Sequence, residues 1–321
     1  MRAVTFTGAG GNEVVAVVER PDPVPSADEV LVAARFAGVN WADVSQREGH
    51  YPPPPGAPRD IPGLEVAGEV AATGDAVRAW HVGDRVFGLV GGGGLADRVV
   101  VHERHVTAVP ANLTDEAAAA VPEAYITAHD AVFTQCGLEM GETLLVNGAN
   151  GAVGSAAVRM GLAAGARVVA NVRSPDSARI LAADGAVVVT PDSAAERVAA
   201  LGGADVVLEL IGAPNLDLDF SALALKGRIV IVGTTAGQEG AISLRALMGK
   251  RASLRGTMLR ARPLEEKAAA VQAFAKSVVP LLAAGRALPE VDRVFPAAEA
   301  AAAFDYLVKP GKSGKVLLDF G

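Results

Sequence analysis

The 321 residues carry a formal charge of −7, with 50% hydrophobic and 20% charged side chains. This balance excludes a disordered chain, and with no Lys/Arg run it excludes a nucleic-acid footprint. A single cysteine, Cys136, excludes a disulfide framework or a multi-thiolate site and fits a reducing, cytoplasmic compartment. Residues 1–6 read as a strand with no signal peptide ahead, and no apolar run reaches about 18 residues, so neither secretion nor a membrane span is expected.

At roughly 150 residues per domain the length points to two domains. Up to about Pro110 short β-rich runs (14–18, 29–36, 65–71, 85–90 and 96–101) are broken by Gly and Pro, as in a compact β-barrel. Two loops stand out there. Tyr51 precedes four prolines, which predicts a stiff segment, and the four glycines at 91–94 predict a mobile one.

From 113 to 254, β-type runs alternate with alanine-rich stretches in βαβ order. Strands are predicted at Thr143–Asn147, Arg167–Asn171, 186–189, 205–210 and 228–233, and helices at 152–164, 175–183, 193–201 and 216–224. Ser174 and Pro175 read as N-cap and first-turn residue of the second helix. The pattern is that of a doubly wound parallel sheet. After Thr257 come one long helix at 264–284, a strand at 291–295, a helix through Val308 and a last strand, Lys315–Asp319. This tail is too short for a core of its own and must pack on another domain.

The first strand of the alternating region runs into Gly148-x-x-Gly151-x-x-Gly154 and then a helix. In such a turn glycines allow the tight bend, the approach of a pyrophosphate and close helix packing, while the helix N-terminus meets the phosphates with free N–H groups. Gly148, Asn150, Gly151, Ala152, Val153 and Gly154 are therefore candidate cofactor residues, a plain glycine turn being the competing reading. An acid at the end of the second strand would select NAD. Here the chain reads Asn171-Val172-Arg173-Ser174, so a guanidinium and a hydroxyl are offered to a 2′-phosphate, which favours NADPH. The alternative is that Arg173 is a solvated surface residue.

Together with Gly38-Val39-Asn40-Trp41-Ala42-Asp43, Pro62-Gly63-Leu64-Glu65-Val66-Ala67-Gly68, Val82-Gly83-Asp84-Arg85-Val86 and Gly314-Lys315-Val316, these residues resemble the zinc-free quinone oxidoreductases of the zeta-crystallin type. That family lies within the medium-chain dehydrogenase/reductase superfamily. Leu259-Arg260-Ala261-Arg262-Pro263 with Glu265-Glu266-Lys267 is similar to the branch related to the p53-inducible quinone oxidoreductase. The resemblance spans nearly the whole chain. It implies an α/β fold with a GroES-like β-barrel catalytic domain (1–120, completed by 257–321) and a doubly wound parallel Rossmann domain (121–256) inserted between. It also implies an active-site cleft between domains, a homodimer through Rossmann edge strands near 253–257, and cofactor contacts from Thr127, Gly233, Thr234, Arg260 and Lys315. The family's usual lysine for the 2′-phosphate aligns with Ser177, and its aromatic near Asp192 is missing, so Arg173 has to compensate.

Zinc alcohol dehydrogenases of the superfamily carry Cys at the position of Asn40 and His at that of Leu64, and they have a four-cysteine lobe missing here. No metal is therefore expected. His102 and His105, close in sequence, read as surface or barrel residues. Without a Lewis acid, reduction of an electron-poor conjugated system is favoured over alcohol oxidation. Asn40 is the candidate hydrogen-bond donor to the substrate oxygen, against a structural Asn in a turn. Asp43 would fix Asn40 or cap the following helix, with spacing favouring the cap. Tyr51 would line the pocket and donate to the carbonyl, or relay a proton, with solvent as the other source. Cys136 reads as a buried small apolar residue.

The leading functional reading is NADPH-dependent reduction of a quinone, by hydride transfer or one-electron chemistry. The alternatives are an enoyl or 2-alkenal reductase acting on an α,β-unsaturated carbonyl, including in polyketide-type metabolism, and a non-catalytic NADPH-binding structural protein.

Overall fold

The computed structural model describes all 321 residues, in two compact units. One comprises Met1–Ile126, Leu259–Pro310 and Gly314–Gly321; the other comprises Thr127–Met258 with Gly311–Ser313.

The first unit is built on a five-stranded antiparallel sheet, in the order Arg98–His102, Glu29–Ala33, Glu65–Thr73, Arg85–Leu89, Val106–Ala108. Alternating valines (Val30, Val32, Val66, Val70, Val86, Val99) bury one face of it, the period-2 pattern of a half-buried strand. A three-stranded sheet places Lys315–Asp319 between Val291–Pro296 and Phe36–Val39. Its core gathers Val39, Phe295, Phe304, Val316, Leu318 and Phe320. The run expected as one strand at 29–36 is two, Glu29–Ala33 and Phe36–Val39, which diverge into different sheets.

The helix expected at 264–284 is Leu264–Ser277 followed by Val279–Ala283. Pro280 explains the break: it has no N–H to continue the ladder, and its ring crowds the carbonyl four residues back. The expected mobility of 91–94 also gives way. Gly93 N–H donates to Ile61 O and Gly94 N–H to Gly63 O, so the glycines there serve close backbone approach.

The second unit contains a six-stranded, all-parallel sheet of Thr143–Asn147, Arg167–Asn171, Val187–Val189, Ala204–Glu209, Leu223–Ile231 and Ser253–Gly256. Numbered along the chain, they lie in the spatial order 3-2-1-4-5-6. The order reverses between the first and fourth strands, where ligands bind in such sheets. Strands one and two keep their expected bounds; the fifth starts earlier and ends at Ile231. The second helix opens as a 3-10 turn, Pro175–Ala178, before Arg179–Ala183. One face packs Leu145, Val169, Val207 and Ile229 against Ala194, Val198 and Phe220 of the covering helices. No helix is long and apolar enough to cross a membrane.

Candidate active site

At the switch point the first strand ends in Asn147, and the chain turns through Gly148 at φ +78°. Gly148 and Ala149 N–H groups both donate to Asn171 O of the second strand, at 3.1 and 3.2 Å. Gly151 caps the helix Ala152–Ala163 without a side-chain acceptor, so the first-turn N–H groups are left for an external anion. A Cβ on Gly154 would lie 2.3 Å from Gly148 O, which makes glycine obligatory where helix and turn touch. This uncapped, side-chain-free cradle fits a dinucleotide pyrophosphate. Asn150 braces it from the side, donating to Ser177 Oγ at 3.2 Å and Lys312 O at 3.0 Å.

After the second strand Asn171 and Val172 are buried, whereas Arg173 and Ser174 are exposed. Ser174 holds the N-cap position but makes no capping hydrogen bond; its carbonyl instead accepts from Ser177 Oγ at 2.7 Å. Gly233 lies two residues past the fifth strand, its N–H on Glu209 O, and Thr234 O accepts from Gly237. Thr127 is buried on the helix Pro122–His129.

Beneath these turns lies a polar row that sequence reasoning missed. Asn171, Asn147 and Glu209 stand side by side in register at the ends of the second, first and fourth strands. Asn171 Nδ2 donates to Asn147 Oδ1 at 2.8 Å. Asn147 Nδ2 donates both to Glu209 Oε2 at 2.6 Å and to Asp219 Oδ1 at 2.7 Å. An acid ending an otherwise apolar strand, Val-Val-Leu-Glu, was the available signal.

In the first unit, Asn40 caps the helix Trp41–Arg47, and Asp43 completes the cap by accepting Asn40 N–H at 2.8 Å. The other Asp43 oxygen accepts Gly63 N–H at 2.8 Å, so this carboxyl fixes the backbone on two sides. Complete burial pushes it up to about 6, against the lowering effect of those two N–H groups.

The Asn40 amide is not the free donor expected. Nδ2 donates to Glu65 Oε1 at 2.9 Å, and Oδ1 accepts from Lys315 Nζ at 2.6 Å. Lys315 and Glu65 form a buried ion pair, and Glu65 Oε2 accepts Glu123 N–H at 2.8 Å. Lys315 is thus a partner of Asn40 and Glu65 rather than an open cation awaiting phosphate. Gly38 makes room for the pair, since a Cβ there would stand 2.2 Å from Glu65 Oε1.

Tyr51 is half-buried, with the Arg260 guanidinium 4.8 Å from its ring centroid. Arg260 donates to Gly91 O and Tyr51 O, each at 2.9 Å, and to Gln46 Oε1. It therefore clamps the tyrosine loop to the glycine loop through three of its five N–H donors. Lys267, also missed from sequence, is buried and donates to Arg260 O at 3.0 Å. The Tyr51 phenol is raised above its ordinary value by burial and by the Glu123 charge.

Leu64 is buried, and no three His, Cys, Asp or Glu side chains are grouped to hold a metal ion. His102 lies 3.2 Å from Asp28 and accepts from Arg104 N–H; His105 meets Leu264 O and is lowered to about 4 by burial. Cys136 is buried and its thiol is pushed up to about 11.

Residues 26–111 match the alcohol dehydrogenase GroES-like domain, and residues 152–276 match the zinc-binding dehydrogenase family. The quinone oxidoreductase of Lama guanicoe is 32% identical over 99% of this chain and 97% of its own. A structure of the Thermus thermophilus quinone oxidoreductase, described also in complex with NADPH, is 35% identical over 100% of both chains, with a TM-score of 0.86. A structure of CurK enoyl reductase is 25% identical, covering 99% of this chain and 98% of its own, with a TM-score of 0.83. With a GroES-like unit, a 3-2-1-4-5-6 nucleotide sheet and full-length identity at this level, the chain belongs to the quinone oxidoreductase family of medium-chain dehydrogenases/reductases.

Proposed function

We propose that this chain is an NADPH-dependent, zinc-independent quinone reductase. One observation carries the cofactor: the first side chains to reach solvent after the second strand are the guanidinium of Arg173 and the hydroxyl of Ser174, with no carboxylate. They take the 2′-phosphate. Gly148, Asn150, Gly151, Ala152, Val153 and Gly154 hold the pyrophosphate, and Thr127, Gly233 and Thr234 serve the nicotinamide end.

NADPH, when bound, supplies the hydride. The chain's own residues orient the acceptor and steady the charge growing on its oxygen. Tyr51 is assigned this role because its ring is pinned by Arg260 and its hydroxyl is not tied to another side chain. Its raised pKa makes it a hydrogen-bond donor and leaves solvent to supply the proton. Asn40 and Asp43 act as positioning residues, with Lys315 and Glu65 holding the Asn40 amide.

Quinone oxidoreductases among the relatives support a quinone acceptor, and the likeness to an enoyl reductase supports a second reading, reduction of a C=C bond beside a carbonyl. Comparing kcat/KM for benzoquinone, a 2-enone and an enoyl thioester decides between them. If none of these oxidises NADPH while NADPH still binds, the chain is a binding protein instead.

The same reading includes a homodimer through the outer strand Ser253–Gly256 and a cytoplasmic location. The exposed Leu225, Leu244, Met248 and Met258 near this edge favour a partner copy. Leu244→Asp with Met248→Asp yields monomers on light scattering; an unchanged mass would count against the interface.

A further inference from the structure

Glu209 and Asp219 are both fully buried and belong to none of the cofactor contacts above. Glu209 Oε1 accepts the backbone N–H groups of Ile211 and Gly212, at 2.5 and 2.7 Å. Its Oε2 accepts from Asn147 Nδ2 and from Asn215 Nδ2, at 2.6 and 3.1 Å. Asp219 Oδ1 shares the same Asn147 nitrogen, while Asp219 Oδ2 meets no donor.

The geometry has two implications. First, the loops that leave the first, second and fourth strands all spring from this row: Gly148 follows Asn147, Arg173 lies two residues past Asn171, and Gly212 follows Glu209 closely. Second, two carboxyls set against one amide, closed to water and with no lysine or arginine bonded to either, cannot both be ionised. A proton on Asp219 resolves the conflict, because a neutral carboxyl can donate to the Glu209 carboxylate.

We propose that Glu209 and Asp219 are positioning residues for the dinucleotide. Acting as one acid–carboxylate pair through Asn147, they hold the 148–154 turn and the Ile211 and Gly212 backbone at a fixed spacing. The inference rests on the nucleotide reading of this crevice.

The charges around the pair agree with it. Asp219 is raised to about 8, by burial first and then by the Glu209 charge. From the neighbouring strands the row receives only the neutral Asn147 and Asn171, and from the preceding turn Asn215. The charged groups of the adjacent helix Pro191–Ala199 (Asp192, Glu196, Arg197) and Asp217 of Asp219's own helix are exposed, and Arg228 of the fifth strand is paired with Glu142.

The sign follows from linkage. A carboxyl whose folded pKa lies above its unfolded value stabilises most at low pH and loses that contribution as pH rises through the folded value. Above it, a second negative charge stands behind the pyrophosphate turn.

The test uses the full chain with three variants, Asp219→Asn, Asp219→Ala and Glu209→Gln. Asn supplies the neutral donor permanently; Gln places an amide where two backbone N–H groups need an acceptor. NADPH dissociation constants, read by nucleotide fluorescence, should weaken about 10-fold in Asp219→Ala and Glu209→Gln at neutral pH and recover in Asp219→Asn. Above about pH 8 the wild type should weaken while Asp219→Asn stays flat. Without nucleotide, the wild-type Tm should fall relative to Asp219→Asn as pH rises from about 5 to about 8, then run parallel. Superimposable pH profiles for wild type and Asp219→Asn, or equal loss of binding in the Asn and Ala variants, would overturn the proposal. A wild type that binds no NADPH at any pH would sink the cofactor reading instead, and the nucleotide-free melts would still decide the pair.

Discussion

Lys315 Nζ stands 2.5 Å from Glu65 Oε1, and the two side chains are only 2% and 1% exposed. Removing one partner of such a pair leaves a buried charge without compensation. Lys315→Met should therefore cost about 3–5 kcal/mol in urea unfolding, and adding Glu65→Gln should recover part of it. Gly38→Ala should reach the same pair from the other side, at about 1–3 kcal/mol, because its methyl would overlap the carboxylate.

The tyrosine clamp separates chemistry from stability. Tyr51→Phe should leave the unfolding free energy within about 0.5 kcal/mol. It should lower kcat/KM for a quinone about 10²-fold, the loss typical of a hydrogen-bond donor to a developing oxyanion. Arg260→Ala frees the loop that carries the ring, so KM should rise more than kcat falls. Arg260→Lys should not restore it, since one ammonium cannot span Gly91 O, Tyr51 O and Gln46 while covering the ring.

In the proposed reading Arg173 is the charged member of the pair, with Ser174, that takes the 2′-phosphate. Arg173→Ala should weaken NADPH by about 10- to 100-fold, the worth of a charge-assisted bond of about 1.5–3 kcal/mol, and leave NADH unchanged. Equal losses for both nucleotides in a binding titration would refute the assignment.

Asp43 makes a pH prediction with a definite sign. Burial raises it to about 6, above its unfolded value, so its contribution to stability is greatest in acid and fades as pH climbs through about 6. Asp43→Asn should remove that part of the pH dependence. Because Asn offers one acceptor to two backbone donors, the variant should also be less stable by about 1–3 kcal/mol at neutral pH. Melting curves across the pH range measure both effects.

The sequence was most legible where a glycine stands directly before or after an apolar run, or within two residues of it. Thr143–Asn147, Arg167–Asn171 and Lys315–Asp319 have their expected bounds for that reason. It was least legible where a charged side chain is buried against one far away in the chain. Glu65 and Lys315 both lie in the quoted motifs, but their contact joins strands of two different sheets, and no spacing reports it. Asn40 reads as a donor to substrate while its neighbours are unknown; with Lys315 and Glu65 on its amide, the reading proposed above gives the substrate-facing role to Tyr51. Glu209 was missed because an acid at a strand end ordinarily reads as solvated, and Asp219 because it sits on the helix Leu216–Ala222, where no spacing ties it to that strand end. Pro280 was a visible breaker, and the long helix at 264–284 was overextended across it.

The strand Lys315–Asp319 lies in the middle of its sheet, yet it follows both of its neighbours in the sequence. Most of the nucleotide-binding unit is one uninterrupted stretch, Thr127–Met258, which can begin to organise as it leaves the ribosome. The first unit has to wait. Until Lys315–Asp319 emerges, Phe36–Val39 and Val291–Pro296 have no strand between them, and Glu65 lacks its Lys315 counter-charge. A nascent chain halted just short of Lys315 would present an open sheet edge and an unpaired carboxylate together, a form suited to recognition by chaperones and proteases.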